Sequence, residues 1–258
     1  MSANETATRA DREKAAYDEG RVFETSHGWH LRFRHVFECP NTLRHERVFE
    51  CRVREAVAGR RVLELGCGDG AQAERLLAAG AGYVQGVDVS ERFLAEARRR
   101  EIPGRLEFAA ADAARSIPGR FDVVFGRAIL HHLDWRAVLA RLDAENLNPG
   151  GRMLFMEPLA SLPIRLYYVV AAGAHTPDER PFSGGDLRWL QSQFPGAEVL
   201  PINLVSFPAG IVSSLLLARA DNLLTRWADR MDERLARGAP WLRGQFRQAI
   251  FVIPKRIH

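Results

Sequence analysis

A chain of 258 residues with 47% hydrophobic and 26% charged residues can bury one large core, or one core and a cap, and is neither fibrous nor disordered by composition. The formal net charge is +4, and all but Lys14 and Lys255 of the 36 basic residues are arginines, with no run longer than Arg98-Arg99-Arg100. Spread among alanines and glutamates they read as solvated helix faces, which argues against a nucleic-acid patch, and Cys39, Cys51 and Cys67 are too few for a disulfide framework.

The stretch Met1 to Asp18 is polar and charged without a secretory pattern, so a reduced, cytoplasmic protein is expected, with residues 1–12 frayed. Between 13 and 38 the chain gathers Tyr17, Phe23, His27, Trp29, His30, Phe33, His35 and Phe37. The alternation from Trp29 to Phe37 predicts a strand. This segment is expected to act as a lid, with Tyr17, His27, Trp29 and His30 as candidate substrate contacts. His27-x-x-His30 has ligand-like spacing, but no carboxylate or cysteine joins it at ligand spacing, so no metal is expected. Pro40-Asn41 opens a helix to about Ala58, with Asn41 as N-cap and Gly59 as stop. Residues 1–58 thus form a lid and lead-in helix.

From Arg61 strands and helices alternate. Strands are expected at 61–65, 83–87, 105–109, 121–126 and 151–156, and helices near 70–79, 90–100 and 134–147, with Ser90 and Asp134 as N-caps. Such alternation predicts an α/β fold, a doubly wound, mostly parallel sheet, with ligands beyond the carboxyl ends of the strands. The residues placed there are Gly66 to Gly70, Asp88, Asp112, Gly126-Arg127 and Glu157.

The run Val62-Leu63-Glu64-Leu65-Gly66-Cys67-Gly68-Asp69-Gly70 leads a buried strand through a glycine turn into a helix, letting a ligand approach bare backbone. Gly66-x-Gly68-x-x-Ala71, with Asp88 20 residues after Gly68, also fits the dinucleotide fingerprint. Glu64 opposes that reading, because a carboxylate beside the turn repels a pyrophosphate and suits a ligand with a cationic end and ribose hydroxyls.

This stretch resembles motif I of the class I S-adenosylmethionine-dependent methyltransferases. The resemblance continues through Gly86-Val87-Asp88-Val89-Ser90, Ala111-Asp112-Ala113, Phe121 to Phe125 with His131-His132-Leu133, and Asn148-Pro149-Gly150-Gly151, over roughly residues 60–157. It implies a seven-stranded Rossmann-like sheet with the last strand antiparallel, and a donor-binding core at 59–157. It further implies that Gly66 and Gly68, with Cys67 contributing backbone, line the methionine end of S-adenosylmethionine. Asp88 and Val89 would border the ribose, Asp112 and Ala113 the adenine, and backbone at Arg127 the methionine moiety. Glu64 would shape the loop or meet the ammonium. His132 matches a histidine that often packs beside the donor; His131 and His132 are the candidates for a base or an orienting group, and Glu157 for substrate contact.

Beyond Glu157 the family pattern loosens. Ser183 to Asp186 forms a capping box, Phe182 can staple onto Leu187, and Ala197 to Val205 reads as a strand. An amphipathic pattern at 216, 220, 223/224, 227, 231 and 235 predicts one or two helices ending at Gly238, and 248–253 the last strand. Residues 158–258 therefore complete the sheet around a helical insertion at 206–244. Two apolar stretches, Leu159 to Ala174 and Val199 to Ala218, are explained by core or cap rather than a membrane span, since Pro201, Asn203 and Pro208 interrupt the longer one; peripheral membrane contact and a homodimer surface stay open beside a monomer. The resulting expectation is methyl transfer to an O, N or C nucleophile of a small, apolar metabolite. The alternatives are an RNA methyltransferase, which lacks an attached RNA-binding module, and a non-catalytic binding module on the same fold.

Overall fold

Apolar strands feeding glycine turns set the frame. The computed structural model describes residues 8–19, 21–170, 176 and 178–256, with the side chains of 21–26, 163, 167 and 170 excepted; residues 1–7 of the expected frayed end, the side chain of Phe23, and 171–174 of the first apolar stretch lie outside the described residues. Seven strands, β1 (Arg61–Leu65), β2 (Tyr83–Asp88), β3 (Leu106–Ala110), β4 (Phe121–Arg127), β5 (Leu147–Pro158), β6 (Glu198–Ile202) and β7 (Gln248–Pro254), form one sheet in the order β3-β2-β1-β4-β5-β7-β6. β7 runs antiparallel to both its neighbours, while the pairs among β1 to β5 are parallel. This is the expected doubly wound sheet with its antiparallel last strand.

Successive side chains of the central strands enter opposite cores. Leu63 and Leu65 of β1 and Phe155 of β5 join one apolar cluster; Val62, Leu154 and Met156 join the other. Both faces must then be covered by helices, which is why these strands read as unbroken apolar runs. On one face lie α4 (Pro40–Val57), α5 (Ala71–Ala78) and α6 (Glu91–Ala97), through Phe49, Leu76 and Leu94; on the other lie α7 (Trp135–Arg141) and α9 (Gly184–Gln193), through Val138 and Leu190. The remaining helices are α1 (Arg9–Glu19), α2 (Arg21–Arg32), α3 (His35–Glu38), α8 (Leu162–Val170), α10 (Ser206–Leu216) and α11 (Leu223–Gly238). The last two fill the connection between β6 and β7, as expected of an insertion at 206–244.

Several local expectations are corrected. Trp29 to Phe37 is helical, not a strand: the same aromatics fall at helical spacing, with Trp29 stacked on Phe33 at 5.3 Å and His30 on Phe37 at 4.1 Å between ring centres. Thr8 to Arg12 is placed, and Arg9–Glu19 forms a helix rather than a frayed end. Asn41 lies inside α4 behind Pro40; its side chain leaves the helix to donate to Asp229 at 2.8 Å and accept from the Asn203 N–H at 3.1 Å, because buried partners on the insertion outbid a local cap. Ser90 does cap α6, accepting from the Phe93 N–H at 3.3 Å, whereas Asp134 makes no capping bond. Ser183 and Asp186 form the expected reciprocal box. On α11 the expected apolar stripe points outward at Leu223 and Trp227, and the buried positions are Thr225, Ala228 and Asp232. Likewise α10 is not plain core, since Val212, Leu215 and Leu216 are exposed. Among the described residues no helix is long and apolar enough to cross a membrane.

Candidate active site

The turn after β1 is held by two N–H groups, those of Gly66 and Cys67, donating to the Val87 carbonyl at 2.8 and 3.1 Å. This ties the loop to β2 and brings the end of that strand alongside it. Gly66 has φ +65°, and a Cβ there would collide with Ile129 at 2.8 Å; Gly68 has φ +53°, and a Cβ there would meet nothing within 4 Å. The second glycine therefore presents bare backbone to open space. Asp88 completes the turn, one carboxylate oxygen accepting from the Gly68 N–H and the other from the Ser90 N–H, each at 2.9 Å. Burial raises the Asp88 pKa, and these backbone donors only partly offset it.

Beyond this edge lies a cavity of about 440 Å³. Of the residues expected around the donor, Gly66, Gly68, Asp88, Val89, Asp112, Ala113, Arg127 and His132 line it. Glu64 and Cys67 stand behind the wall, both buried. Glu64 Oε2 has no hydrogen-bond partner, and burial, with the charges of Asp88 and Asp69, raises its pKa well above the ordinary value. Burial first and Asp88 second push the Cys67 thiol up, which keeps it protonated. The Asp112 carboxylate accepts from the Ala114 N–H at 2.8 Å. The Arg127 side chain is drawn away to Glu46 at 2.5 Å and over the Phe49 ring, leaving its backbone at the cavity.

Glu157 is almost wholly buried and does not line the cavity, so the candidate substrate contact is corrected to a structural role. Its carboxylate accepts from the N–H groups of Ile129 (3.0 Å) and Leu130 (2.9 Å) and sits 2.7 Å from Nδ1 of His131. It thereby shapes the short turn Leu130–His132 and turns His131 away from the cavity, behind His132. His132 faces the cavity, its Nε2 3.4 Å from the Tyr17 hydroxyl and its Nδ1 3.0 Å from Glu13 Oε2, off the line of a good hydrogen bond. Burial pulls the His132 pKa down, but Glu13, Glu179 and Glu157 together raise it above the ordinary value. Burial likewise opposes ionisation of Glu13, yet His132, Thr176 and Arg9 bring its pKa below the usual range. The two favour an imidazolium–carboxylate pair.

The cover over this cavity is α1, through Thr8, Arg9, Ala10, Glu13 and Tyr17. Arg9 fastens it, donating to the carbonyls of His131 (3.1 Å) and Asp178. Of the expected lid residues only Tyr17 reaches this space. Trp29 and His30 instead line a second cavity of about 410 Å³ with Phe33, Phe37, Ile164, Phe207, Ile211 and Arg247. His27 is exposed and lines neither. Sequence reasoning missed Arg9, Glu13 and Glu179, because each meets the His131-His132 pair across more than 40 residues of chain.

Residues 62–151 match the family model described as a methyltransferase domain. Residues 62–151 are thus a methyltransferase domain, set in a fold shared with S-adenosylmethionine-dependent methyltransferases. A ubiquinone biosynthesis O-methyltransferase from Aromatoleum aromaticum is 34% identical over 121 residues, covering 45% of this chain and 51% of that protein. A 27-O-demethylrifamycin SV methyltransferase from Amycolatopsis mediterranei is 37% identical over 103 residues, 37% of this chain and 38% of that one. The chain thus spans about half, or less, of the length of these curated relatives. Among solved structures, phosphoethanolamine N-methyltransferase 2 of Haemonchus contortus shares the fold with a TM-score of 0.60 at 19% identity, covering 98% of this chain and 61% of that one. Geranyl diphosphate C-methyltransferase of Streptomyces coelicolor A3(2) does so with 0.56 at 12% identity, over 83% and 82%. The matched segment ends at residue 151, inside β5, so α1 to α4 and everything after residue 151 lie outside it.

Proposed function

We propose that this chain transfers the methyl group of S-adenosylmethionine to an O, N or C nucleophile of a small, apolar metabolite. The observation that carries the reading is the Gly68–Asp88 corner: an open glycine backbone and a buried carboxylate, fixed to each other at 2.9 Å, at the mouth of a covered cavity. The residues fit the donor. Asp88 keeps acceptor capacity for ribose hydroxyls and its carboxylate at the cavity edge disfavours a dinucleotide pyrophosphate, while Glu64, buried behind the turn, shapes the loop. Asp112 and Ala113 border the adenine side, and the backbone at Arg127 the methionine side.

When bound, the donor supplies an already activated methyl group. What remains for the chain is alignment in a dry site, a contribution of about 7–11 kcal/mol in favourable cases. Tyr17 and Glu13 on α1 close the space above His132, and the cover excludes water from it. An apolar acceptor is supported by the second cavity, whose lining is aromatic and aliphatic around a single cation, Arg247. Exposed Leu162, Leu166, Leu215 and Leu216 on α8 and α10 give the same region an apolar outer face, consistent with peripheral membrane contact by a cytoplasmic monomer or homodimer. Calorimetric titration with S-adenosylmethionine, followed by release of S-adenosylhomocysteine against a panel of phenols, amines and apolar acids, tests the reading. Failure to bind the donor, or tighter binding of a nicotinamide dinucleotide, overturns it.

A further inference from the structure

Where α1 crosses the Leu130–His132 turn, four potential metal ligands from three separate parts of the chain converge. Ligand atoms of His131, His132 and Glu179 all lie within 4.8 Å of one another. His131 Nε2 is 3.8 Å from Glu179 Oε2, and His132 Nδ1 is 3.9 Å from Glu179 Oε1 and 3.0 Å from Glu13 Oε2. Such separations match the edges of a coordination shell whose bonds are about 2.0–2.2 Å. Two of these atoms, Glu13 Oε2 and His132 Nδ1, are buried with no satisfied hydrogen bond, although both residues are more than nine-tenths buried. They lie 3.0 Å apart as an ion pair but off the line of a good hydrogen bond, so each keeps a lone pair's worth of unsatisfied capacity in the space they share.

The groups behind the ligands are arranged as metal sites require. Glu157 holds Nδ1 of His131 at 2.7 Å, which fixes the tautomer that turns a bare Nε2 toward Glu179. Glu179 is oriented by the Tyr168 hydroxyl and the Thr176 N–H, each at 2.7 Å, and Glu13 by the Thr176 hydroxyl. The charge also asks for a cation. Glu13, Glu157 and Glu179 bring three carboxylates into one buried cluster, and the nearby Arg9 spends its Nη2 on the carbonyls of His131 and Asp178.

We propose that His131, His132, Glu13 and Glu179 bind one divalent first-row transition ion beside the donor cavity. Two imidazoles with two carboxylates suit Zn²⁺ or Mn²⁺, whereas Mg²⁺ prefers an all-oxygen octahedron. His132 and Glu13 both line the donor cavity, so an open coordination position there takes an oxygen of the methyl acceptor. That last role rests on the methyltransferase reading; the site itself does not. The proposal departs from the expectation of a metal-free protein, which was drawn from spacing along the sequence.

The test is equilibrium dialysis of chelator-stripped protein against Zn²⁺, Mn²⁺ and Mg²⁺, with metal analysis and titration in buffers of different ionisation enthalpy. One equivalent of Zn²⁺ or Mn²⁺ is expected, with release of about one proton near neutral pH, and Mg²⁺ at least about tenfold weaker. Glu179→Gln and His131→Gln should each weaken binding about 100-fold, and Glu13→Gln, on the separate helix α1, keeps the proposal testable if either misfolds. No stoichiometric binding by the wild type, or binding that survives all three substitutions, overturns the site. Loss of metal with intact S-adenosylmethionine affinity leaves the methyltransferase reading standing, and the converse leaves the metal site standing.

Discussion

The two walls of the central cavity are built in opposite ways. The sheet-side wall comes from turns that directly follow β1, β2, β3 and β4, each residue placed by the strand before it. The covering wall joins α1, the Leu130–His132 turn, Thr176 and residues 178–180, and its contacts bridge 122 residues from Arg9 to His131 and 163 from Glu13 to Thr176. One wall is thus specified locally and the other only by assembly. Substitutions in the first should damage one ligand's binding, and those in the second should unsettle several groups at once.

Glu157 sits at the junction, and removing it should have the largest effect. Glu157→Ala leaves three backbone N–H groups and His131 Nδ1 without their buried acceptor, so a loss of about 3–5 kcal/mol is expected in denaturant unfolding. A loss below about 1 kcal/mol would mean that the covering wall does not depend on this carboxylate. On the locally built wall, Asp88→Ala should weaken S-adenosylmethionine by about 10- to 150-fold, the worth of about 1.5–3 kcal/mol for a charged acceptor, with folding largely preserved. Calorimetry on the variant checks it, and unchanged affinity would break the assignment of that wall to the donor.

Truncation separates the two walls directly. Deleting residues 1–19 removes α1 but spares α3, which packs with α10 and is therefore part of the folded cap. Turnover is expected to fall at least about tenfold more than donor affinity, as loss of positioning and water exclusion does. Equal losses in both would make α1 merely part of the donor site.

The Glu13–His132 pair gives a smaller, pH-dependent effect in chelator-stripped protein. The raised His132 value means its contribution is whole below the ordinary histidine value of 6.5 and fades as pH rises through the folded value. The lowered Glu13 value means its contribution is whole above 4.5 and fades as pH falls through the folded value. The stability gap between wild type and Glu13→Gln should therefore be widest between pH 4.5 and 6.5 in a thermal-melt series. A gap that keeps growing above that window contradicts the pairing. Smallest of all, Ser90→Ala should cost about 1 kcal/mol and Asp134→Ala almost nothing, because only the first is a working helix cap.

By itself the sequence determined the parallel strands and the residues at their carboxyl ends, because each follows from adjacency, whereas the antiparallel last strand was expected only from the family resemblance. An apolar run makes a buried strand, a glycine turn must follow where backbone meets ligand, and a carboxylate at a strand's end lands at the ligand edge. Local pattern misled where two periods coincide, as at Trp29, Phe33 and Phe37, whose spacing is both alternating and helical. Asn41 failed as a cap for a related reason: its partners Asp229 and Asn203 are invisible from its own neighbourhood. Only the tertiary structure decided which face of α11 is buried, which helix covers the cavity, and that Glu13, His131-His132 and Glu179 meet. Convergence of charges across 160 residues has no period and no spacing; it exists only once the sheet has fixed where each turn emerges and burial has made every unpaired oxygen seek a partner.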